Sequence, residues 1–121
     1  MKVKTSEFVL VDISNSFTKV AFSSRNRLGR VHRLPTPELT ETNLRALING
    51  RSARRAIAAS VVPAKNRVLQ AVLPDPLCWV GPGIPLGIGI SYPHPETIGA
   101  DRLANTVAAA SLHGTPAIVV D

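Results

Sequence analysis

The segment Tyr92–Gly114, YPHPETIGADRLANTVAAASLHG, sets a proline-stiffened loop against a helix that carries an acid and a base side by side in its first turn. From Leu103 onward, Leu103, Val107 and Ala110 alternate with Ala104, Ala108 and Leu112 at steps of three and four, which predicts a helix with one buried face. Gly99 permits a tight approach at its start, and Asp101 is placed to accept backbone N–H bonds at the cap or in the first turn. Gly114 and Pro116 stop the helix. Arg102 breaks the pattern. A cation in the first turn faces the positive end of the helix macrodipole and costs up to about 1 kcal/mol, so its placement asks for a role other than helix stability.

Around this segment the chain has the size of one domain: 121 residues, 45% hydrophobic, with 4% aromatic content. Apolar residues drawn from Val, Ile, Leu and Ala suit a sheet covered by small-residue helices, and the class expected is α/β. Cys78 is the only cysteine, which excludes an internal disulfide. His32, His94 and His113 share no ligand spacing and receive no metal or catalytic role. The opening MKVKTSEFVLVDIS is interrupted by Asp12 and reads as a first strand rather than a secretory signal. Charges or prolines break every apolar run before the roughly 20 residues of a membrane span, so a soluble, cytoplasmic protein is expected. Charge is unevenly shared: residues 1–67 hold thirteen Lys and Arg against four Asp and Glu, a net +9 within a total of +6. Such a half is either a solvated arginine-rich surface or a surface for an anionic partner such as a nucleotide or nucleic acid.

In order along the chain, Glu7–Ile13 is an apolar strand delivering Asp12 at its carboxyl end, and Ser14-Asn15-Ser16 is a turn into a second strand, Phe17–Ser23. A third strand is expected over Leu28–Leu34, so that three antiparallel strands open the domain. Glu38–Asn49 reads as a helix with Thr40 or Thr42 as cap. Arg51, Arg54 and Arg55 read as a basic connector, Ala56–Val62 as a buried central strand, Ala64–Val72 as a short helix and Leu77–Val80 as a further strand. GPGIPLGIGI at 81–90 is expected to be an ordered loop packed on the body, and Pro116–Val120 a last strand ending on Asp121. Strand ends are where α/β folds place ligands.

Two clusters carry candidate chemistry. Asp12-Ile13-Ser14-Asn15-Ser16-Phe17-Thr18-Lys19 is either a polar hairpin with Asx-type bonds or a turn that offers backbone N–H groups and Lys19 to phosphate oxygens, with Asp12 near Mg²⁺. Asp101 is either a helix cap or a general base for phosphoryl transfer to a hydroxyl. Beside it, the Arg102 fork suits a substrate carboxylate.

DISNSFTK resembles the phosphate-binding turn of type III pantothenate kinases, written DxGNTxxK, with Ser14 in place of Gly and Ser16 in place of Thr. YPHPETIGADRLANTVAA resembles the pantothenate motif of that family with its GADR core. SVVP at Ser60–Pro63, VGPGIPLGI at Val80–Ile88 and the closing GTPAIVVD follow the family's order and spacing. The resemblance implies a ribonuclease-H-like, actin-like ATPase lobe: a mixed sheet opening with three antiparallel strands, flanked by helices, and one half of a two-lobed kinase that forms a homodimer.

By the same resemblance, Asp12, Ile13, Ser14, Asn15, Ser16, Phe17, Thr18 and Lys19 handle the phosphates of ATP, with Asp12 near Mg²⁺. Tyr92, Gly99, Ala100, Asp101 and Arg102 bind pantothenate, with Asp101 as base, and Asp121 holds a monovalent cation, potassium or ammonium. The implied reaction makes 4′-phosphopantothenate, the first step toward coenzyme A. The family's second lobe is absent from residues 1–121, so the chain alone is expected to be inactive. Two alternatives remain at this point: a basic nucleic-acid-binding or regulatory module, against which the scarcity of aromatics argues, and a catalytically dead kinase relative.

Overall fold

The computed structural model describes residues 4–120. Five strands form one mixed sheet: β1 (Lys4–Ile13), β2 (Phe17–Ser23), β3 (His32–Pro35), β4 (Arg51–Ser60) and β5 (Leu77–Trp79), in the spatial order β3-β2-β1-β4-β5. β1, β2 and β3 pair antiparallel, as their hairpin-type connections require, while β4 joins β1 in parallel and β5 joins β4 in parallel. The α/β class and the three antiparallel strands at the start match the sequence expectation. β3 is shorter than expected because residues after Leu28 make only one isolated bridge, Ser23 to Leu28, before the ladder resumes at His32.

Alternation along the strands sorts the side chains onto two faces. Val9, Val11 and Ile13 of β1, Val20 and Phe22 of β2, and Ala56 and Ala58 of β4 are all buried on one of them. Two short helices cover this face, α1 (Glu41–Leu47) through Leu44 and α2 (Asn66–Val72) through Val68 and Leu69. Thr40 caps α1, its hydroxyl accepting from the Asn43 amide at 3.1 Å. The helix is shorter than the Glu38–Asn49 expected because Thr36–Glu38 winds as a separate 3₁₀ turn, with Pro37 at its start. A second 3₁₀ turn, Pro63–Lys65, similarly precedes α2.

A third helix, α3 (Ala100–His113), lies on the opposite face and packs against β4. Its anchor is Leu103, which is buried, whereas Leu112 is 76% exposed. The apolar stripe read from the sequence is therefore engaged only at its N-terminal end. The loop at 81–90 follows the expectation more closely, with Ile84, Leu86, Ile88 and Ile90 partly buried and the residues between them exposed.

Two expectations are corrected. Arg51, Arg54 and Arg55 belong to β4 rather than to a connector, because the long parallel register with β1 starts at Arg51 opposite Lys4 and runs to Ser60 opposite Ile13. That strand ends at Ser60, two residues before the Val62 expected. Pro116–Val120 forms no strand: it has no ladder partner among the described residues, and Ile118 and Val120 are 93% and 92% exposed. β-propensity without a neighbouring strand satisfies no backbone hydrogen bond. Asp121 lies outside the described residues, and no helix among them is long and apolar enough to cross a membrane.

Leu69 is fully buried between α2 and the sheet. Leu69→Ala is expected to lower unfolding stability by about 2–5 kcal/mol, read from the denaturant midpoint at unchanged m-value. A loss below about 1 kcal/mol contradicts this packing.

Candidate active site

The open face of the sheet carries the candidate chemistry. In the carboxyl half of β1, where Val9, Val11 and Ile13 enter the core, Leu10 and Asp12 face the other way. Opposite them across the β1–β2 ladder stand Ala21 and Lys19, and across the β1–β4 ladder Ile57 and Ala59. These side chains form the floor of a cleft of about 500 Å³, walled on one side by Asp101, Ala104 and Asn105 of α3. Ala21 and Ala59 keep the floor low, and Asp12 and Lys19 stand directly opposite each other in register. Asp12, Ser14, Lys19 and Asp101, residues from both ends of the chain, thus line one cavity.

The Asp12 side chain is partly buried, and its Oδ1 is fully buried with no hydrogen-bond partner. Burial pushes its carboxyl above the ordinary value; Lys19 pulls the other way, the Asp101 carboxylate adds to the rise, and a hydrogen bond from Ser14 lowers it. An orphaned carboxylate oxygen at the floor of a largely apolar cleft is a fitting ligand for a hard divalent cation, directly or through water. Among the described residues no three His, Cys, Asp or Glu side chains cluster as a ready-made metal cage. A cation held here would complete its shell largely with water or a bound phosphate.

Ser14–Phe17 is a tight turn closed by the Ser14 amide donating to the Phe17 carbonyl at 3.1 Å. It is fastened from below by Thr36, which sequence reasoning missed. The Thr36 amide donates to the Ser16 carbonyl at 2.9 Å, and its hydroxyl donates to the Ser14 carbonyl at 2.6 Å. Thr36 also lies 3.0 Å from the Thr18 hydroxyl, and both threonines are buried. The only sequence signal was a hydroxyl residue set between Pro35 and Pro37, which reads as strand punctuation. Ser14 has a negative φ, as does every non-glycine among the described residues, so the replacement of the motif's glycine brings no left-handed backbone strain. Asn15, Ser16 and Phe17 are exposed on the turn, whereas Ile13 and Thr18 point into the core. Phe17 carries the Arg33 guanidinium 3.6 Å above its ring centroid.

At the other wall, the N-cap of α3 is Gly99 and no side chain caps the helix. Asp101 sits in the first turn, and its Oδ1 accepts from the Arg102 amide at 2.9 Å. Gly99 leaves room for the carboxylate: a Cβ there would lie 2.7 Å from Asp101 Oδ1 and would push that side chain from its place, while the Val61 side chain just beyond β4, at 3.8 Å, would be in ordinary contact. Ala100, the first helical residue, is partly buried.

The remaining residues of this set are not all brought together. Arg102 is exposed and lines a separate hollow of about 310 Å³ with Asn105, Thr106 and Val119. Asn105 lines both hollows and separates the two charged residues. Tyr92 is 54% exposed and lines neither.

Comparison with known proteins gives this geometry its context. A family model described as type III pantothenate kinase matches residues 8–121. Proteins named type III pantothenate kinase from Methylacidiphilum infernorum and Akkermansia muciniphila are each 39% identical, over 93% and 94% of this chain but 42% and 48% of their own lengths. A third, from Acidothermus cellulolyticus, is 39% identical over 93% of this chain and 50% of its own length. The chain spans about half the length of the curated relatives it matches, and over that half it belongs to the type III pantothenate kinase family.

Proposed function

We propose that the chain is the N-terminal, actin-like lobe of a two-lobed kinase that transfers the γ-phosphoryl group of ATP to the primary hydroxyl of pantothenate. The observation that carries the reading is the convergence of Asp12, Lys19 and Asp101 on one cleft, in a chain of this family. The strapped Ser14–Phe17 turn and Lys19 take the ATP phosphates, with backbone N–H groups and the ammonium as donors. Mg²⁺, when bound, neutralises phosphate charge, and Asp12 is the residue that would hold it.

Asp101 acts as general base. Its Oδ1 is already fixed by the Arg102 amide, which leaves Oδ2 to take the hydroxyl proton. The alcohol oxygen bonds to the γ-phosphorus as the bond from that phosphorus to the β,γ-bridging oxygen breaks, releasing ADP and 4′-phosphopantothenate. Arg102 pairs with the pantothenate carboxylate from its neighbouring hollow, and Tyr92 reaches the substrate by movement of its loop. Asp121 supplies an oxygen to a potassium or ammonium ion.

The apolar Leu112, Ile118 and Val120, exposed at the far end of α3 and beyond it, support a covering surface from the second lobe, in the same or another chain, and from a homodimer partner. A cytoplasmic setting suits an enzyme of coenzyme A synthesis.

The 121-residue chain by itself is expected to show no ATP-dependent phosphorylation of pantothenate, because one lobe cannot enclose the nucleotide. Turnover by the purified chain, measured as ADP release that requires pantothenate, refutes the need for a second lobe. In a two-lobed form completed with the C-terminal half of a curated relative, Asp101→Asn is expected to lower kcat about 10²–10⁴-fold with KM for pantothenate nearly unchanged. Undiminished kcat removes Asp101 from the role of base.

Asp12 gives a pH-dependent test. The folded chain holds the Asp12 proton more tightly than the unfolded chain does. That contribution to stability is complete below the ordinary carboxylate range and is lost as pH rises through the raised value. Asp12→Asn, which cannot ionise, is expected to raise the melting temperature near pH 7 relative to the unchanged chain, to lose that advantage toward about pH 3, and to weaken Mg²⁺ binding. A lower melting temperature at neutral pH contradicts the assignment.

A further inference from the structure

The pole of the sheet remote from Asp12 gathers six of the chain's fourteen lysines and arginines. β1 and β4 begin there, β2 ends there, and the connection from β2 to β3 folds beside them. Arg25, Arg27 and Arg30 come from that connection, and Arg51, Arg54 and Arg55 from the first half of β4. Two hollows open at this pole. One, of about 780 Å³, is lined by Arg27, Arg30 and Arg51 with the hydroxyls of Ser23 and Ser24; the other, of about 460 Å³, is lined by Arg25, Arg54 and Arg55. Thr5, Ser6 and Glu7 line both and join them.

Glu7 is the only carboxylate among the linings, and none of these six arginines has an ion-pair partner among the described residues, where the one pair is His94 with Glu96. Arg51 is the most constrained of the six. Its guanidinium lies 4.2 Å from the centroid of the Phe22 ring, and its Nε is buried without a hydrogen-bond partner. Guanidinium groups that line one hollow repel one another, and a buried unpaired N–H is costly to leave unmet. An anion with several oxygens in the hollow relieves the repulsion, and reaches the outer edge of the Arg51 fork. Stacking on Phe22 fixes the plane of the Arg51 fork in advance, so little side-chain freedom is lost on binding.

We propose that this pole is a second ligand site, for a small phosphate-rich anion of the inorganic or organic polyphosphate class, seated in the larger hollow against Arg51 and closed over by Arg27 and Arg30. The hydroxyls of Thr5, Ser23 and Ser24 supply the neutral donors that accompany guanidinium in phosphate recognition. The hollow has the volume of a small-ligand pocket. A single-stranded nucleic acid fits less well, because the aromatics at this pole are Phe22, which is buried, and Phe8, which is partly buried, and neither offers an exposed face for stacking bases. The site is separate from the cleft at Asp12: Ser6 and Asp12 are six residues apart on one strand, roughly 20 Å.

Calorimetric titration of the chain with inorganic tripolyphosphate tests the site, with Lys19→Ala removing the cation of the cleft and Arg27→Gln/Arg30→Gln removing two exposed cations of the pole. Tripolyphosphate binding is expected to survive Lys19→Ala and to weaken about tenfold or more in the double arginine variant. Arg51→Gln is expected to weaken it as well, with circular dichroism reporting whether the fold is kept. Binding that is lost in Lys19→Ala and unchanged in the double arginine variant assigns the anion to the cleft alone and overturns the proposal. So does the absence of measurable tripolyphosphate binding. A labelled DNA duplex that binds more tightly than tripolyphosphate, with a steep salt dependence removed by the same arginine changes, overturns it in favour of a polynucleotide surface.

Discussion

The parallel ladder between β1 and β4 is the constraint from which the candidate site follows. Its register sets Asp12 beside Ala59 and Ile13 beside Ser60, and the Val61 amide extends it by donating to the Ile13 carbonyl at 3.0 Å. Because the two strands run the same way, both deliver their carboxyl ends to one edge of the molecule. The start of α3 meets that edge, Gly99 lying close to Val61, and the next turn of chain brings Asp101 over Asp12. A slip of one residue in the ladder would invert the faces of β4, sending Ala59 into the core and Ala58 into the cleft. Two carboxylates nearly ninety positions apart in sequence meet because that register is fixed.

The two faces of the sheet divide the work. The face under α1 and α2 is closed by large aliphatic side chains on the helices meeting small ones on β4, where Ala56 and Ala58 let Leu44 and Leu69 approach the backbone. The other face is covered by α3 only in part, with Leu103 as its anchor. Partial cover is what leaves an opening over Asp12 and Lys19. Desolvation of Asp12 then comes from its position on the cleft floor, and the nearby carboxylate of Asp101 strengthens the effect, so one geometry accounts for both the opening and the weakened acidity of Asp12.

Much of this was legible in the sequence. Apolar runs bounded by turn residues marked β1, β2 and the core of β4, and the 3.6-residue period marked α3, because burial on one face leaves a periodic trace. The start of β4 was not legible, since Arg51, Arg54 and Arg55 stand at the sheet's exposed pole, where a strand can carry charge. Pro116–Val120 misled for the opposite reason: its residues favour strands, but pairing depends on a neighbour that local sequence does not describe. Asp12, Lys19 and Asp101 were singled out through short motifs and line one cleft, yet their separation from Tyr92 and Arg102 was not legible, because motif order says nothing about which wall of a helix a side chain lines. Thr36 escaped notice because its contribution is made through a hydroxyl and an amide aimed at a distant turn.

That hidden strap bears on how the hairpin holds its shape. Thr36 fixes the carbonyls of Ser14 and Ser16, and the buried Thr18 stands against it on the core side of the sheet. The template for the loop is therefore kept underneath it, in two residues that never face the cleft, and the outward side chains at Asn15 and Ser16 are released from shaping the backbone they sit on. Molecular shape and surface chemistry are encoded at separate addresses, which lets the exposed positions be rewritten without redrawing the curve that carries them.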